Sequence, residues 1–165
     1  MKNKTLKEKI IESMFAVSKK PVLFKDLLEA NASFNEGMLV DPGKLNFKFR
    51  YGKSYMIFSV ICFLVFIPFT ILTHDFFQKI DFHISIIATI LATSGVFVTF
   101  DIFKAWARKS LTKQLIKKAW ENHLPFFPYE KYSTKVEEVY EEALKKELPK
   151  RDLEKYILDS LVQND

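Results

Sequence analysis

Residues 55–73 read YMIFSVICFLVFIPFTILT, a run that contains no charged side chain. The hydrocarbon core of a bilayer is about 30 Å thick, which an α-helix crosses with roughly 20 mostly apolar residues. A second apolar run, FHISIIATILATSGVFVTF at 82–100, follows after a short polar segment and carries one ionisable residue, His83. Two such runs so close together are rare in a soluble core of this size, so the sequence predicts two transmembrane helices.

The segment between the two runs, residues 74–81, is short and therefore predicts an antiparallel helical hairpin. Lysine and arginine flank the runs on the side away from this connector, whose only basic residue of these two types is Lys79. Because positively charged flanks stay in the cytosol, we expect both termini in the cytosol and the connector outside a bacterial cytoplasmic (inner) membrane. The residues expected at this interface or against lipid headgroups are Lys48, Arg50, Lys53, Lys104, Trp106, Arg108, Lys109 and Lys113.

Residues 1–54 are charged and indicate a cytosolic N-terminal region with an amphipathic helix, a shorter helix and a possible small β-hairpin at 38–51. A lone two-stranded hairpin is marginally stable, so we expect the helices or a partner to cover it. Its pattern is the alternation of a half-buried strand, in which every second residue is apolar. These apolar positions are Leu45, Phe47, Phe49 and Tyr51.

The second run does not end at the membrane, since residues 104–124 continue it without glycine or proline up to Pro125. One helix of about 40 residues is therefore expected, half in lipid and half in the cytosol. Residues 125–165 are expected to form a cytosolic region of two short helices, the first started by a capping box of Thr134 and Glu137. The predicted fold class is mainly α, an integral membrane two-helix transmembrane hairpin with cytosolic α-helical extensions.

Small side chains recur along the second run at spacings of three and four residues, which places them on one face of a helix. Helices in lipid associate where small side chains allow their backbones to approach closely. This stripe either packs against the first span within the hairpin or forms a seam with a partner or a second copy. Its residues are Ser85, Ala88, Ala92, Gly95 and Thr99.

The sequence offers no constellation of residues that indicates catalysis, a cofactor or a metal. Cys62 is the only cysteine and lies within the first apolar run. The histidines at positions 74, 83 and 123 fall on both sides of the predicted membrane, and YGKS at 51–54 lacks the upstream glycine of a phosphate loop. We therefore expect no enzyme activity, no cofactor and no metal. Nucleic acid is not an expected partner, because no DNA-reading motif accompanies the lysines.

Neither apolar run has an ionisable group near its middle, which disfavours a transporter or a proton channel. The expected function is that of a non-enzymatic inner-membrane subunit. It would anchor or scaffold a larger membrane protein complex through its transmembrane hairpin and its cytosolic helices. The expected partners are the lipid bilayer with its anionic headgroups and other membrane protein subunits or further copies of itself. The alternative is a homo-oligomeric pore or channel-like membrane effector.

Overall fold

Most of the described residues are helical in a computed structural model, which describes residues 5–77, 79 and 82–163. The mainly helical class is thus confirmed. Within these residues the elements are helix α1 (Leu6–Met14), strand β1 (Phe15–Val17), α2 (Phe24–Asn35), strand β2 (Phe47–Phe49), α3 (Tyr51–Phe77), α4 (Phe82–His123), α5 (Tyr129–Lys145) and α6 (Lys150–Gln163).

The chain divides into two compact units. Unit 1 contains the residues up to 15 together with 49–108, and unit 2 contains 16–48 together with the chain from 109 onward. Helix α4 is continuous over 42 residues and supplies residues to both units. The prediction that the second apolar run continues as a single helix to the residues before Pro125 is confirmed.

The first apolar run lies inside α3, which begins at Tyr51 and ends at Phe77 and is therefore longer than the predicted span of 55–73. Pro68 is accommodated within this helix. Because α3 continues to Phe77, the predicted connector 74–81 begins as helix, and its residues 78, 80 and 81 lie outside the described chain. The start of α3 contacts α4 near Phe100, and the other end of α3 leads into the start of α4, so the two helices are antiparallel.

The amphipathic helix predicted near the N-terminus is α1, and it packs against α3 within unit 1. A capping box starts it, in which the Thr5 hydroxyl accepts a hydrogen bond from the Glu8 backbone (3.3 Å) and the Glu8 carboxylate accepts one from the Thr5 backbone (2.9 Å). Its apolar side is completely buried at Ile11 and Met14. The Arg50 backbone N–H also donates to the Met14 carbonyl at 2.8 Å, which ties the end of α1 to the start of α3.

The β-hairpin predicted at 38–51 is wrong in its pairing. Strand β2 does lie within that segment, but it pairs antiparallel with β1, about 30 residues earlier in the chain. The segment at 41–43 (Asp-Pro-Gly) forms a turn, in which the Gly43 N–H donates to the Asp41 side chain at 2.8 Å. Alternation of apolar residues indicates a half-buried strand, but it does not identify the strand that will pair with it.

Unit 2 is a small helical core in which α2 packs against α5 and α6, and α5 packs against α6. The end of α4 joins this core, because the ring of His123 lies 5.4 Å from the ring of Phe24 on α2. The side chains that are almost completely buried here are Leu27, Leu28, Leu45, Ile116, Trp120, Leu124, Val136, Ile157 and Leu161.

The predicted capping box of Thr134 and Glu137 is wrong, because α5 begins at Tyr129 with Pro128 in the N-cap position. Thr134 therefore lies inside the helix. Proline fixes the backbone φ angle that the entry to a helix requires, which allows α5 to start earlier than the threonine signal suggests.

Candidate functional site

An aromatic cluster joins α3 to α4 at one end of the hairpin. The ring of Tyr55 stacks on Phe100 at 4.5 Å with an interplanar angle of 14°. The ring of Phe58 meets Phe100 edge-on at 5.1 Å and lies 5.6 Å from Phe103 in a tilted arrangement. Phe58 and Phe100 are buried, so these rings form a specific contact between the two helices.

Outside this cluster, α3 and the first part of α4 expose apolar side chains over most of their surface. In the most apolar 18-residue window of each helix only 6% of the residues are buried within the chain. Leu72, for example, is 84% exposed, and Phe63, Leu91 and Phe97 are all more than 60% exposed. A soluble protein rarely shows a continuous apolar surface of this extent, since contact with water is unfavourable.

The predicted small-residue stripe is open for much of its length. Ala88 is half-buried, whereas Ala92, Gly95 and Thr99 are exposed. A Cβ atom built on Gly95 would meet no other atom within 4 Å, so α3 does not cover the stripe at this position. The Thr99 hydroxyl donates to the Gly95 carbonyl at 2.7 Å and is thus satisfied within its own helix. The side chain of Ser85 lies outside the described part of the chain.

Packing against the first span is not seen at Gly95, while Ala88 is half-buried, so this interpretation of the stripe as a whole stays a prediction. The second interpretation, a seam with a partner or with another copy, stays a prediction.

The predicted interface residues lie mostly at the surface. In unit 1, Lys104 pairs with Asp101 at 2.7 Å, and Lys7 lies 5.0 Å above the ring of Trp106. In unit 2, Lys109 lies 5.9 Å from the centre of the Phe34 ring. The exposed members of the set are Lys48, Arg50, Lys53, Trp106, Lys109 and Lys113, and the half-buried ones are Lys104 and Arg108.

A charged network inside unit 2 links α2, α5 and the segment before β2. Glu29 accepts hydrogen bonds from Lys25 and Lys44. Partial burial raises the pKa of Glu29, but the two lysines outweigh this effect, so its pKa is lower than usual. The Tyr140 hydroxyl lies 3.4 Å from the same carboxylate. Burial, and then the negative charge of Glu29, raise the pKa of Tyr140 to about 12.

An aromatic corner connects α4 to α5. The indole N–H of Trp120 donates to the Phe127 carbonyl at 2.6 Å, and its ring meets Tyr129 edge-on at 5.2 Å. A cleft of about 460 Å³ lies beside these groups. Lys117 pairs with Glu130 at its rim, which lowers the pKa of Glu130, while burial raises the pKa of Tyr129. The loop that contains Pro125 and Pro128 therefore closes over Trp120 and completes the core.

A polar seam runs between α2 and α5. The side-chain amide of Asn31, which is completely buried, donates to the Ser133 carbonyl at 2.8 Å, and the amide of Asn35 donates to Glu137 at 2.7 Å. The Oδ1 atom of Asn31 has no hydrogen-bond partner among the described residues. A buried amide with one partner is costly, so this asparagine favours one register of α2 against α5 over others.

Three carboxylates approach one another at the surface end of this seam. Oxygen atoms of Glu36, Glu137 and Glu141 lie within 4.8 Å of one another, in the range that a cation could bridge. All three side chains reach solvent, and Glu137 is already held by Asn35. Exposed acidic groups are common without an ion, so this cluster alone does not define a metal site.

Comparison of the chain with protein-family models, with curated proteins and with solved structures finds no match.

Several residues of interest were not recognised as a group from sequence. The contact of Tyr55 and Phe58 with Phe100 and Phe103 had a usable signal, since each pair has the i, i+3 spacing of one helical face. In the Glu29 network, Lys25 had such a signal as the i, i+4 neighbour of Glu29, whereas Lys44 and Tyr140 had none, because they are far from Glu29 in the chain.

Proposed function

We propose that this protein is a non-enzymatic membrane anchor, which crosses the bilayer twice through α3 and α4 and holds unit 2 in the cytosol as part of a larger membrane complex. The observation that carries this proposal is the exposure of both apolar helices. The core helix of a soluble protein can be as long and as apolar, but it is mostly buried, whereas only 6% of the apolar windows of α3 and α4 is buried. Lipid is the solvent that suits such a surface.

The second observation that supports the proposal is the difference between the first and the last part of α4. Its first part is apolar and exposed, and its last part contributes the buried side chains of Leu111, Ile116 and Trp120 to the helical core of unit 2. One uninterrupted helix therefore links the proposed span directly to a folded unit with its own charged surface. This arrangement suits a protein that holds other components at a membrane, and the lysines and arginines around it favour the cytosolic side.

The partner side of the proposal rests on the open stripe of α4. Membrane helices gain stability where small residues let backbones approach, and Ala92 and Gly95 are not covered by α3. We propose a helix of another subunit as the occupant. The same observation favours a second candidate function, a homo-oligomeric pore in which α4 surrounds an axis.

Mass measurement of the intact assembly separates these functions. The protein is extracted from the membranes of its own host in a mild nonionic detergent, and the intact particle is weighed. The anchor proposal expects the 19.4 kDa chain together with different chains in fixed ratio, whereas the pore expects only multiples of the chain mass. A lone, stable monomer of this mass would contradict both.

A cysteine at Gly95 adds a direct check of the stripe. In a background without Cys62, a Gly95→Cys variant is expected to crosslink to a different chain if the anchor proposal holds, and to itself if the pore holds. A cysteine at Ile90, which is 59% exposed and lies on the side of α4 away from Gly95, is the matched control and is expected to crosslink weakly. Equal crosslinking from both positions would mean that the stripe has no special role.

A further inference from the structure

A cleft in unit 2 brings three lysines together from two distant parts of the chain. Lys19 and Lys20 lie in the segment that follows β1, and Lys118 lies on α4. The cleft has a volume of about 380 Å³, and no aspartate or glutamate is among the described residues that line it. Cavities of this size are typical of sites for small organic ligands.

The backbone around the lysines is held in place by hydrogen bonds. Nε2 of His123 lies 2.8 Å from the Val22 carbonyl, which fixes the segment against the end of α4. The Ser18 backbone N–H donates to the Asn46 carbonyl at 2.8 Å, and the Lys20 backbone N–H donates to the Ser18 hydroxyl at 3.2 Å. The positions from which the ammonium groups extend are therefore set by the fold before any ligand arrives.

Other lysines of unit 2 pair with carboxylates, whereas the cleft that these three lysines line offers none among its described residues. Lys25 and Lys44 share Glu29, and Lys117 pairs with Glu130. Lys19, Lys20 and Lys118 instead face a cleft whose described lining contains no carboxylate. Three like charges around one cavity repel one another, and a multiply charged anion between them would relieve that repulsion.

A second cavity lies against the same segment and extends the basic surface. It has a volume of about 420 Å³, shares Val17, Ser18 and Lys20 with the first, and adds Lys48. Its described lining residues also include no aspartate or glutamate. The positive surface is therefore continuous around residues 16–20.

The rest of the cleft combines apolar and uncharged polar side chains. The apolar part of the lining includes Leu115 and Ala119 on α4 and Leu45 before β2, and its uncharged polar part is Ser18, Asn122 and His123. A bare phosphate would fill only part of this space, so the lining suits a ligand that has an anionic group and an organic portion. Lysine binds phosphate as a compact positive charge with three donors.

We propose that the cleft bounded by Lys19, Lys20 and Lys118 binds the phosphate group of a phosphoester, whose organic portion packs against Leu115 and Ala119. Two sources share this chemistry, a soluble phosphoester and the headgroup of an anionic phospholipid. None of the three lysines of the cleft belongs to the predicted interface set, of which only Lys48, in the adjoining cavity, lies nearby, and the existence of the site does not depend on the proposed anchor function.

Calorimetric titration of the full chain in mild nonionic detergent tests the proposal. Glycerol 3-phosphate represents the soluble source and dihexanoylphosphatidylglycerol represents the lipid source, with dihexanoylphosphatidylcholine as the headgroup without net charge. The test variant carries K19Q, K20Q and K118Q. Its affinity for the bound compound is expected to fall at least about tenfold, and added salt is expected to weaken binding to the unaltered protein.

The matched control removes the same number of positive charges from exposed positions outside the cleft, on the end of α5 and on α6. It carries K145Q, K150Q and K155Q. Its affinity is expected to stay within about twofold, because a local site depends little on distant screened charges. The urea midpoint of each variant is measured alongside, and since all six side chains are exposed, each midpoint is expected to stay near that of the unaltered protein.

Binding of glycerol 3-phosphate that is lost only in the cleft variant supports a soluble source. Binding of the phosphatidylglycerol alone, again lost only in the cleft variant, supports a lipid source. The proposal is overturned if neither compound binds at millimolar concentration. It is also overturned if the cleft and control variants weaken binding equally, because the effect would then be one of total charge, or if phosphatidylcholine binds as tightly as phosphatidylglycerol.

Discussion

Replacing Trp120 by phenylalanine tests whether the last part of α4 belongs to a water-facing core and not to the membrane. Trp120 is 2% exposed, and its indole N–H donates to the Phe127 carbonyl at 2.6 Å. The phenylalanine variant loses this hydrogen bond and leaves the carbonyl without its donor, which costs about 1–2 kcal/mol. The smaller ring also leaves space beside Tyr129, so we expect a total loss of about 2 kcal/mol in the free energy of unfolding of unit 2.

Urea unfolding of the full chain in detergent micelles, read out by a short protease pulse, measures this loss. Unit 2 is expected to become cleavable as it unfolds, while the micelle shields the apolar parts of α3 and α4. With a urea dependence of about 2 kcal/mol per molar, the midpoint is expected to fall by about 1 M.

The control variant is Trp106→Phe. Trp106 is the other tryptophan of the chain, and its side chain is 43% exposed. Its loss is expected to stay below about 0.5 kcal/mol. If Trp120→Phe and Trp106→Phe shift the midpoint equally, or if neither shifts it, the assignment of residues 109–123 to a folded water-facing unit is wrong.

Three further predictions follow from named contacts. Phe58→Ala removes a buried ring from the α3–α4 contact and is expected to lower the melting temperature in detergent by several degrees. The control Phe63→Ala, at a site that is 64% exposed, is expected to leave the melting temperature nearly unchanged. Equal effects of the two variants would contradict the role of the aromatic cluster. Because the pKa of Tyr140 is raised from 10.0 to about 12 in the folded state, the free energy of unfolding is expected to fall as the pH rises from 10 towards 12. Tyr140→Phe is expected to abolish the part of this fall that Tyr140 causes. An unchanged pH profile in the variant would refute this role of Tyr140. Because the pKa of Glu29 is lowered in the folded state, its contribution to the free energy of unfolding is present above the ordinary pKa of 4.5 and is lost as the pH falls below it. The urea midpoint of Glu29→Gln is therefore expected to vary less between pH 6 and pH 3 than that of the unaltered protein. An equal variation would count against the Glu29 network.

Features that depend on neighbouring residues could be predicted well. The absence of glycine and proline between 104 and 124 was sufficient to predict that α4 continues far beyond the second apolar run. The amphipathic pattern near the N-terminus was sufficient to predict α1, because helix periodicity is local.

Features that depend on distant residues could not be predicted in the same way. The alternation around Phe47 and Phe49 indicated a strand, but its partner at Phe15–Val17 is separated from it by the whole of α2. Any nearby strand would have satisfied the pattern equally well, since pairing is decided by the burial of both faces after the helices have packed.

The candidate sites show the same limit. The spacing of Ala92, Gly95 and Thr99 identified one face of a helix, but whether α3 covers that face depends on how the two helices cross. The lysine cleft had only the adjacent Lys19 and Lys20 as a signal, because Lys118 joins them only after the end of α4 has docked beside residues 17–22.

The measurement that tests the central claim most directly is labelling of single cysteines in intact cells by a membrane-impermeant maleimide. In a background without Cys62, one variant carries a cysteine at Lys79, between α3 and α4, and the other carries one at Lys155 on α6. If α3 and α4 form a transmembrane hairpin with unit 2 in the cytosol, position 79 is expected to be labelled from outside and position 155 only after the membrane is broken. Labelling of both positions in intact cells, or labelling of position 155 alone, would contradict the account.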